Sequence, residues 1–221
     1  QGAFLYDENL EIGIVEGIVG IKQWDVIING FANHAGTTPM DKRNDALYAA
    51  SLYVQSVHEI GKKTPGNQVA TVGMIKPFPG APNVIPGKVS ASLEIRDLNE
   101  KKINSIYKKI KRSTERITKR TGTTFQFKQT INIIPEPTND LISQAIFDAS
   151  NDLKLKSKFM PSGAGHDAQE MAQICPIGMI FIPSKDGISH SPKEYSTAND
   201  ITNGANVLLH AVLKIDERSN Q

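Results

Sequence analysis

The sequence contains almost no cysteine: Cys175 is the only one among 221 residues. A single thiol cannot form an internal disulfide, and a structural zinc site made of cysteines needs several, so the chain alone forms neither. This composition is typical of proteins kept in a reducing compartment, and we expect a cytoplasmic protein. No apolar run approaches the roughly 20 residues of a membrane-spanning helix, so we expect no membrane partner.

An excess of charge of one sign is also missing. Lys and Arg together number 25 and Asp and Glu together number 23, which gives a formal net charge of +2. Balanced charge disfavours an electrostatic nucleic-acid binder, so we expect no nucleic-acid partner. The chain also lacks an initiator methionine, since it begins Gln1-Gly2, and we expect it to be a cut or incomplete chain.

Complete catalytic motifs are absent as well. There is no His-x-Asp, no Glu-Glu pair, no Gly-x-Ser-x-Gly turn and no phosphate-binding Walker loop. His58-Glu59 is not followed by a second histidine at the spacing of zinc peptidases. Because a catalytic zinc site needs three or more protein ligands, the residues alone indicate an incomplete site.

The segment from Lys22 to Ile133 predicts the order strand, helix, strand, strand, helix, strand. Its clearest strand is Gly87–Arg96, in which apolar and polar residues alternate strictly. This order is that of a ferredoxin-like fold, an antiparallel sheet with two helices on one face.

Both predicted helices of this segment have an apolar stripe. The first is predicted to begin at Pro39, with Thr38 as its N-cap, and to end near His58. Its stripe comprises Leu47, Ala50, Val54 and Val57. The second is predicted over Glu100–Arg120, with Asp97 as its cap. Its stripe comprises Ile103, Ile106, Ile110 and Ile117.

After a predicted linker at Pro135–Pro137, the pattern becomes that of an α/β protein. The continuous apolar run Pro176–Pro183 predicts a strand buried on both faces. Helices are predicted over Asp140–Leu155 and from a capping box at Thr197 onward. The stripe of the last helix comprises Ile201, Ala205, Leu208 and Val212. One buried strand is too little for these helices to cover, so this part indicates an incomplete α/β domain.

Three of the five histidines lie in loops where functional residues concentrate. His34 lies among small and hydroxyl-bearing residues, and His166 follows a glycine-rich turn. His190 comes after the predicted buried strand, in a position where an imidazole can bind a metal or act as an acid or base. For each of the three a purely structural role stays open, whereas His58 and His210 are interpreted as structural helix residues.

Five motifs carry a resemblance to a known family. They are His34-Ala-Gly-Thr-Thr-Pro-Met40, Asn83-Val-Ile-Pro-Gly87, Glu94-Ile-Arg-Asp97, Ser162-Gly-Ala-Gly-His-Asp-Ala168 and Gly187-Ile-Ser-His-Ser-Pro192. In this order they resemble the amidase/carbamoylase branch of the dinuclear zinc peptidase superfamily. That branch includes N-carbamoyl-L-amino-acid hydrolases, allantoate amidohydrolases and β-alanine synthase.

The resemblance implies a role for several residues. His190 would be a metal ligand, and His34 would reach across a dimer to polarise the scissile carbonyl and stabilise the oxyanion. The substrate-binding residues would be Gln1, Gln23, Asn83, Arg96, Gly163 and His166. Arg96 would bind the substrate's α-carboxylate, a task for which a bidentate guanidinium is well suited.

The resemblance also implies a domain organisation. Residues 1–20 would be a remnant of a catalytic α/β domain, 21–135 an inserted ferredoxin-like dimerisation domain, and 136–221 the C-terminal part of the catalytic domain. The complete enzyme would be a homodimer that binds two divalent ions, zinc or manganese, and hydrolyses linear C–N bonds of ureido or amide substrates. The remaining metal ligands and the general base would lie upstream of Gln1, so we expect this chain alone to be inactive.

Three alternatives remain open at this stage. The chain could be a non-enzymatic dimerisation module, or an aminoacylase or dipeptidase of the same superfamily. RNA binding is disfavoured, because the strand Gly87–Arg96 lacks the aromatic residues that stack on bases.

Overall fold

A computed structural model of the protein describes residues 3–219. The helices are α1 (Phe4–Asp7), α2 (Ala46–Lys63), α3 (Glu100–Thr121), α4 (Asp140–Asp152), α5 (Ala168–Met171) and α6 (Ala198–Ser219). The strands are β1 (Ile12–Ile18), β2 (Gly20–Asn29), β3 (Asn33–His34), β4 (Val69–Thr71), β5 (Ile75–Phe78), β6 (Val84–Ile85), β7 (Lys88–Asp97), β8 (Thr124–Ile133), β9 (Glu136–Pro137), β10 (Ser157–Ser162) and β11 (Ile180–Phe181). Within the described residues they form two compact units, residues 20–134 and residues 3–19 with 135–219.

The unit of residues 20–134 has the predicted ferredoxin-like architecture. Its sheet has the order β4-β7-β2-β8, every pair is antiparallel, and β5 also pairs with β7. The alternation predicted in β7 is confirmed, because Val89, Ala91, Leu93 and Ile95 are fully buried and their polar neighbours are not. Helices α2 and α3 pack on this apolar face.

Helix α2 begins later than predicted. Asp45, not Thr38, is its N-cap, since the Asp45 carboxylate accepts hydrogen bonds from the backbone of Leu47 and Tyr48. The buried face is consequently rotated from the predicted stripe. It comprises Ala46, Ala49, Ala50, Tyr53 and Val57, while Leu47 and Val54 are more than one third exposed.

Helix α3 largely follows its prediction. All four predicted isoleucines are buried, and Gly122 ends the helix in the left-handed conformation. Its N-cap is Asn99, and Asp97 instead accepts a hydrogen bond from the backbone N–H of Asn99. Tyr107 of α3 stacks on Trp24, the only tryptophan, with ring centroids 4.4 Å apart. Tryptophan fluorescence therefore reports on the core of this unit.

The strand predicted over Gln68–Ile75 is divided into β4 and β5. The side chain of Ser92 on β7 accepts hydrogen bonds from the backbone N–H groups of Gly73 and Met74 at the break. These two N–H groups bond to a hydroxyl instead of a neighbouring strand, and regular pairing is interrupted there.

The second unit is built around β1. This strand pairs in parallel with β10 on one side and antiparallel with β11 and β9. Strands β9 and β10 were not predicted. The chain passes between the two units at the predicted linker Pro135–Pro137, and Glu136–Pro137 of that segment forms the short strand β9. The prediction for Pro176–Pro183 was wrong, because only Ile180 and Phe181 form a strand and both are half-buried.

The apolar stripe predicted on the last helix is not its buried face. The capping box is confirmed, because Thr197 and Asp200 exchange side-chain and backbone hydrogen bonds. Val207 and Ala211 pack against β1 and α4, whereas Ile201, Leu208 and Val212 are each more than half exposed. These side chains line a groove of about 450 Å³ with Ile142 of α4 and Ile182. Within residues 3–219, no helix is long and apolar enough to cross a membrane.

The rotated face of α2 predicts unequal effects of two valine substitutions. Val57→Ala removes buried methyl groups and should lower the free energy of unfolding by about 2 kcal/mol. Val54→Ala, on the exposed face of the same helix, should change it by about 0.5 kcal/mol or less. Urea unfolding followed by Trp24 fluorescence measures both. Equal losses would show that the buried face is assigned incorrectly.

Candidate functional site

His34 and Asn83 lie together in a small ribbon of the ferredoxin-like unit. Strand β3 pairs with β6 so that His34 lies opposite Val84, and the N–H of Ala35 donates to the backbone oxygen of Asn83 at 3.0 Å. The ribbon continues the pairing of β2 with β7 past Asn29. The side chains of His34 and Asn83 are both exposed.

The His34 ring is held in place by a hydrogen bond to one of its two nitrogens, Nδ1. The N–H of Gly36 donates to Nδ1 at 3.0 Å, so a neutral ring carries its proton on Nε2. A Cβ at position 36 would lie 3.2 Å from Cε1 of the ring, which favours glycine there. Arg43 donates to the backbone oxygens of Ala35 and Thr38 and closes the loop. This role of Arg43 was missed, because no motif distinguishes it.

Gln23 and Arg96 lie on the polar face of the sheet and are joined by Glu94. Gln23 of β2 is directly opposite Glu94 of β7, and Arg96 follows two residues later on the same face. Glu94 accepts a short hydrogen bond from Nε2 of Gln23 and one of 2.6 Å from Nε of Arg96. We call these three residues the Gln23–Glu94–Arg96 cluster. Glu94 was not predicted as a site residue, although it belongs to one of the five motifs.

Glu94 is ionised throughout the neutral range. Its partial burial acts to raise the pKa, but the hydrogen bonds from Arg96 and Gln23 and the charge of Arg96 outweigh burial and lower the pKa. The cluster therefore combines a carboxylate, a guanidinium and an amide in fixed contact.

The ribbon and the cluster lie toward opposite ends of β2. A strand rises about 3.4 Å per residue, so Asn29 lies about 20 Å along β2 from Gln23. Arg96 pairs opposite Ile21, which is still further from the ribbon that bears His34. Within one copy of the chain, a small substrate bound at Arg96 is therefore out of reach of His34.

The predicted residues Gly163 and His166 lie in the other unit, in the turn after β10. Ser162 donates its hydroxyl proton to the backbone oxygen of Ala164, so it accepts from Nε2 of His166 at 2.9 Å. The ring also contacts Phe181, with centroids 5.7 Å apart. Among residues 3–219, no atom lies within 4 Å of the position that a Cβ at Gly163 would take.

His190 lies in the loop between β11 and α6. Its backbone is left-handed, with φ of 55°, and its N–H donates to the Glu194 carboxylate at 3.0 Å. Asp186 and Gly187 in the same loop are also left-handed. For the two non-glycine residues this conformation costs roughly 1–2 kcal/mol each, which is a feature of functional loops. The exposed His190 stays a predicted metal ligand.

The described residues do not fit a two-metal site by themselves. Among residues 3–219, no three His, Cys, Asp or Glu side chains are close enough together to hold a metal ion. Gln1, the remaining predicted substrate-binding residue, lies outside the described residues.

The environment of His166 predicts its pH behaviour. Burial lowers its pKa, and the nearby Asp167 carboxylate opposes this only in part. The unfolded state, with a histidine pKa of about 6.5, therefore binds the proton first as the pH falls. The neutral ring favours the folded state above that pH, and the contribution is lost as the pH falls through the lower folded-state pKa.

An NMR titration of the His166 ring should accordingly give a midpoint below about 6.5, with the proton on Nε2 at high pH. Substitution of the exposed His58 by glutamine should leave that midpoint unchanged. A His166 midpoint above the ordinary histidine value would contradict this description of the turn.

Known proteins resemble this chain along most of its length. Residues 6–214 match the family described as peptidase family M20/M25/M40. The chain is 39% identical over 215 residues to the N-carbamoyl-L-amino acid amidohydrolase of Geobacillus stearothermophilus, covering 97% of this chain and 52% of that protein. It is 34% identical to the allantoate amidohydrolase of Escherichia coli (strain K12), covering 94% and 51%.

Solved structures of the same kind of enzyme have a fold similar to that of this chain. An amidase of the hydantoinase/carbamoylase family from Burkholderia multivorans superposes with a TM-score of 0.92 at 35% identity, covering 96% of this chain and 52% of that one. The chain thus spans about half the length of the relatives that it matches, and it has the carbamoylase-type fold predicted from its motifs. Matched over most of its length, the chain belongs to peptidase family M20/M25/M40.

Proposed function

We propose that this chain carries the substrate-recognition groups of a metal-dependent amidohydrolase that cleaves linear C–N bonds of N-carbamoyl-L-amino acids or allantoate-like ureido compounds. The observation that carries the proposal is the Gln23–Glu94–Arg96 cluster on the polar face of the sheet. Relatives named as N-carbamoyl-amino-acid and allantoate amidohydrolases support the reaction class.

Arg96 is the group proposed to bind the substrate carboxylate. Glu94 contacts it through Nε, the guanidinium nitrogen nearest the main chain. The planar guanidinium group suits bidentate binding of a carboxylate. The Arg96 side chain is 28% exposed, which is enough for access and little enough for the charge to be incompletely screened.

His34 is the group proposed to polarise the scissile carbonyl. Because Gly36 occupies Nδ1, the Nε2–H is the donor that the ring can direct at a substrate oxygen. A donor of this kind stabilises the negative charge that develops on the oxygen in a tetrahedral intermediate. Asn83 is held beside it by the ribbon and adds an amide for substrate binding.

One substrate can use both groups only if they come from two copies. The separation along β2 supports a homodimer in which the ribbon of one copy reaches the cluster of the other. Within residues 3–219, the only strand that pairs with β8 is β2, so β8 is an edge strand available for association through the ferredoxin-like unit.

The metal centre would need ligands besides His190. Bound zinc or manganese would supply Lewis-acid activation of water in the complete enzyme. Since the described residues do not converge on a metal, we expect no turnover of N-carbamoyl amino acids or allantoate by the 221-residue chain alone.

Carboxylate recognition by Arg96 is tested by ligand binding. The chain should bind N-carbamoylglycine more tightly than N-carbamoylglycinamide, which lacks the carboxylate. Arg96→Gln should weaken N-carbamoylglycine binding by roughly 10-fold or more, because a charge-assisted hydrogen bond contributes about 1.5–3 kcal/mol. NMR titration measures both affinities.

The matched control is Arg112→Gln, which removes an exposed arginine on α3. It should leave the affinity unchanged. If the glycinamide binds as well as the acid, or if Arg96→Gln behaves like the control, Arg96 does not recognise a carboxylate.

A further inference from the structure

Glu94 also fixes the orientation of the Gln23 side-chain amide. A carboxylate has only acceptor oxygens, so the amide nitrogen of Gln23 must be the atom that faces it. The oxygen Oε1 of Gln23 is then turned away from Glu94. Within residues 3–219, no donor is paired with that oxygen, so Gln23 presents a hydrogen-bond acceptor.

The same carboxylate holds the neighbouring donor. Its other oxygen accepts from Nε of Arg96, so one ionised group fixes the amide and the guanidinium together. Glu94 is half-buried at a directly paired position of two strands, which limits the rotamers that the three side chains can adopt. The cluster therefore displays a cationic donor and a neutral acceptor in fixed relation.

A cavity lies beside the Gln23–Glu94 pair on the same face. It has a volume of about 250 Å³ and is lined by the polar residues Gln23, Asp25, Thr71, Ser92, Glu94 and Thr130 and also by Trp24 and Leu93, but not by Arg96. Because two carboxylates and no cation line it, the cavity suits the N–H-bearing end of a ligand whose carboxylate binds outside it at Arg96.

We propose that Glu94 is a positioning residue that orients the Gln23 amide as an acceptor, so that the site selects ligands bearing both a carboxylate and a nearby N–H donor. An N-acylated or N-carbamoylated amino acid has both groups, whereas a simple carboxylate has only the first. This inference rests on the proposed carboxylate-binding function of Arg96.

The orientation itself can be observed without ligand. The side-chain amide protons of Gln23 should shift with pH as Glu94 is protonated, with a midpoint below the ordinary glutamate pKa. In Glu94→Gln this titration should vanish, because a glutamine at position 94 does not ionise, and the Gln23 amide is no longer held in one orientation because the new amide can donate to its Oε1. A Gln23 signal that does not respond to pH in the wild-type chain would overturn the positioning role.

Selectivity is the second readout. The wild-type chain should bind N-carbamoylglycine more tightly than acetate, and Glu94→Gln should reduce that affinity ratio by about fivefold, the effect of one hydrogen bond. Glu115→Gln, an exposed glutamate on α3, is the matched control and should leave the ratio unchanged. Trp24 fluorescence checks that each variant is folded. If Glu94→Gln does not fold, Gln23→Leu removes the acceptor and should lower the ratio equally.

The outcomes separate the inference from the proposed function. If the wild-type chain binds neither N-carbamoylglycine nor acetate, the carboxylate site itself is wrong and the inference fails with it. If both bind and the ratio is the same in the Glu94→Gln or Gln23→Leu variant, the positioning role is overturned while the carboxylate site stands. A reduced ratio with acetate affinity largely retained supports the inference.

Discussion

The antiparallel pairing of β2 with β7 is the constraint on which the ferredoxin-like unit depends. The two strands pair along their whole length, from Gly20 opposite Asp97 to Asn29 opposite Lys88. A shift of one residue would turn every side chain to the other face, so the buried face and the site face are set together. The same register brings Gln23 opposite Glu94, and it separates the cluster from the ribbon that bears His34.

Much of this unit could be predicted from local pattern. The alternation in Gly87–Arg96 and the isoleucine spacing of α3 each reflect burial on one side, and both are confirmed. The start of α2 could not be predicted in this way, because Thr38 and Asp45 are both good N-cap residues. The choice is decided by tertiary contacts, since Arg43 binds the backbone oxygens of Ala35 and Thr38 and keeps that segment out of the helix.

The α/β unit shows more clearly what the spacing of apolar residues along a helix cannot predict. An apolar stripe predicts that a helix face prefers to be covered, but it does not say that the cover lies within the same chain. On α6 the predicted stripe lines an open groove, while Val207 and Ala211 form the contact with β1 and α4. The strand β10 was missed because it contains Pro161 and few apolar residues, which an edge strand tolerates. The role of Glu94 was missed for a related reason, since a contact between residues 71 positions apart depends on strand register.

We propose that one substrate site combines Arg96 of one copy with His34 of another. The most direct test is to co-express His34→Ala and Arg96→Gln chains and to measure N-carbamoylglycine binding by calorimetry, beside each variant alone. In a mixed dimer one site receives both intact residues and the other receives both substitutions. If the two residues meet across a dimer, the mixture regains a class of sites with wild-type affinity that neither variant has alone. If the mixture binds no better than the average of the two variants, the two residues do not meet across a dimer.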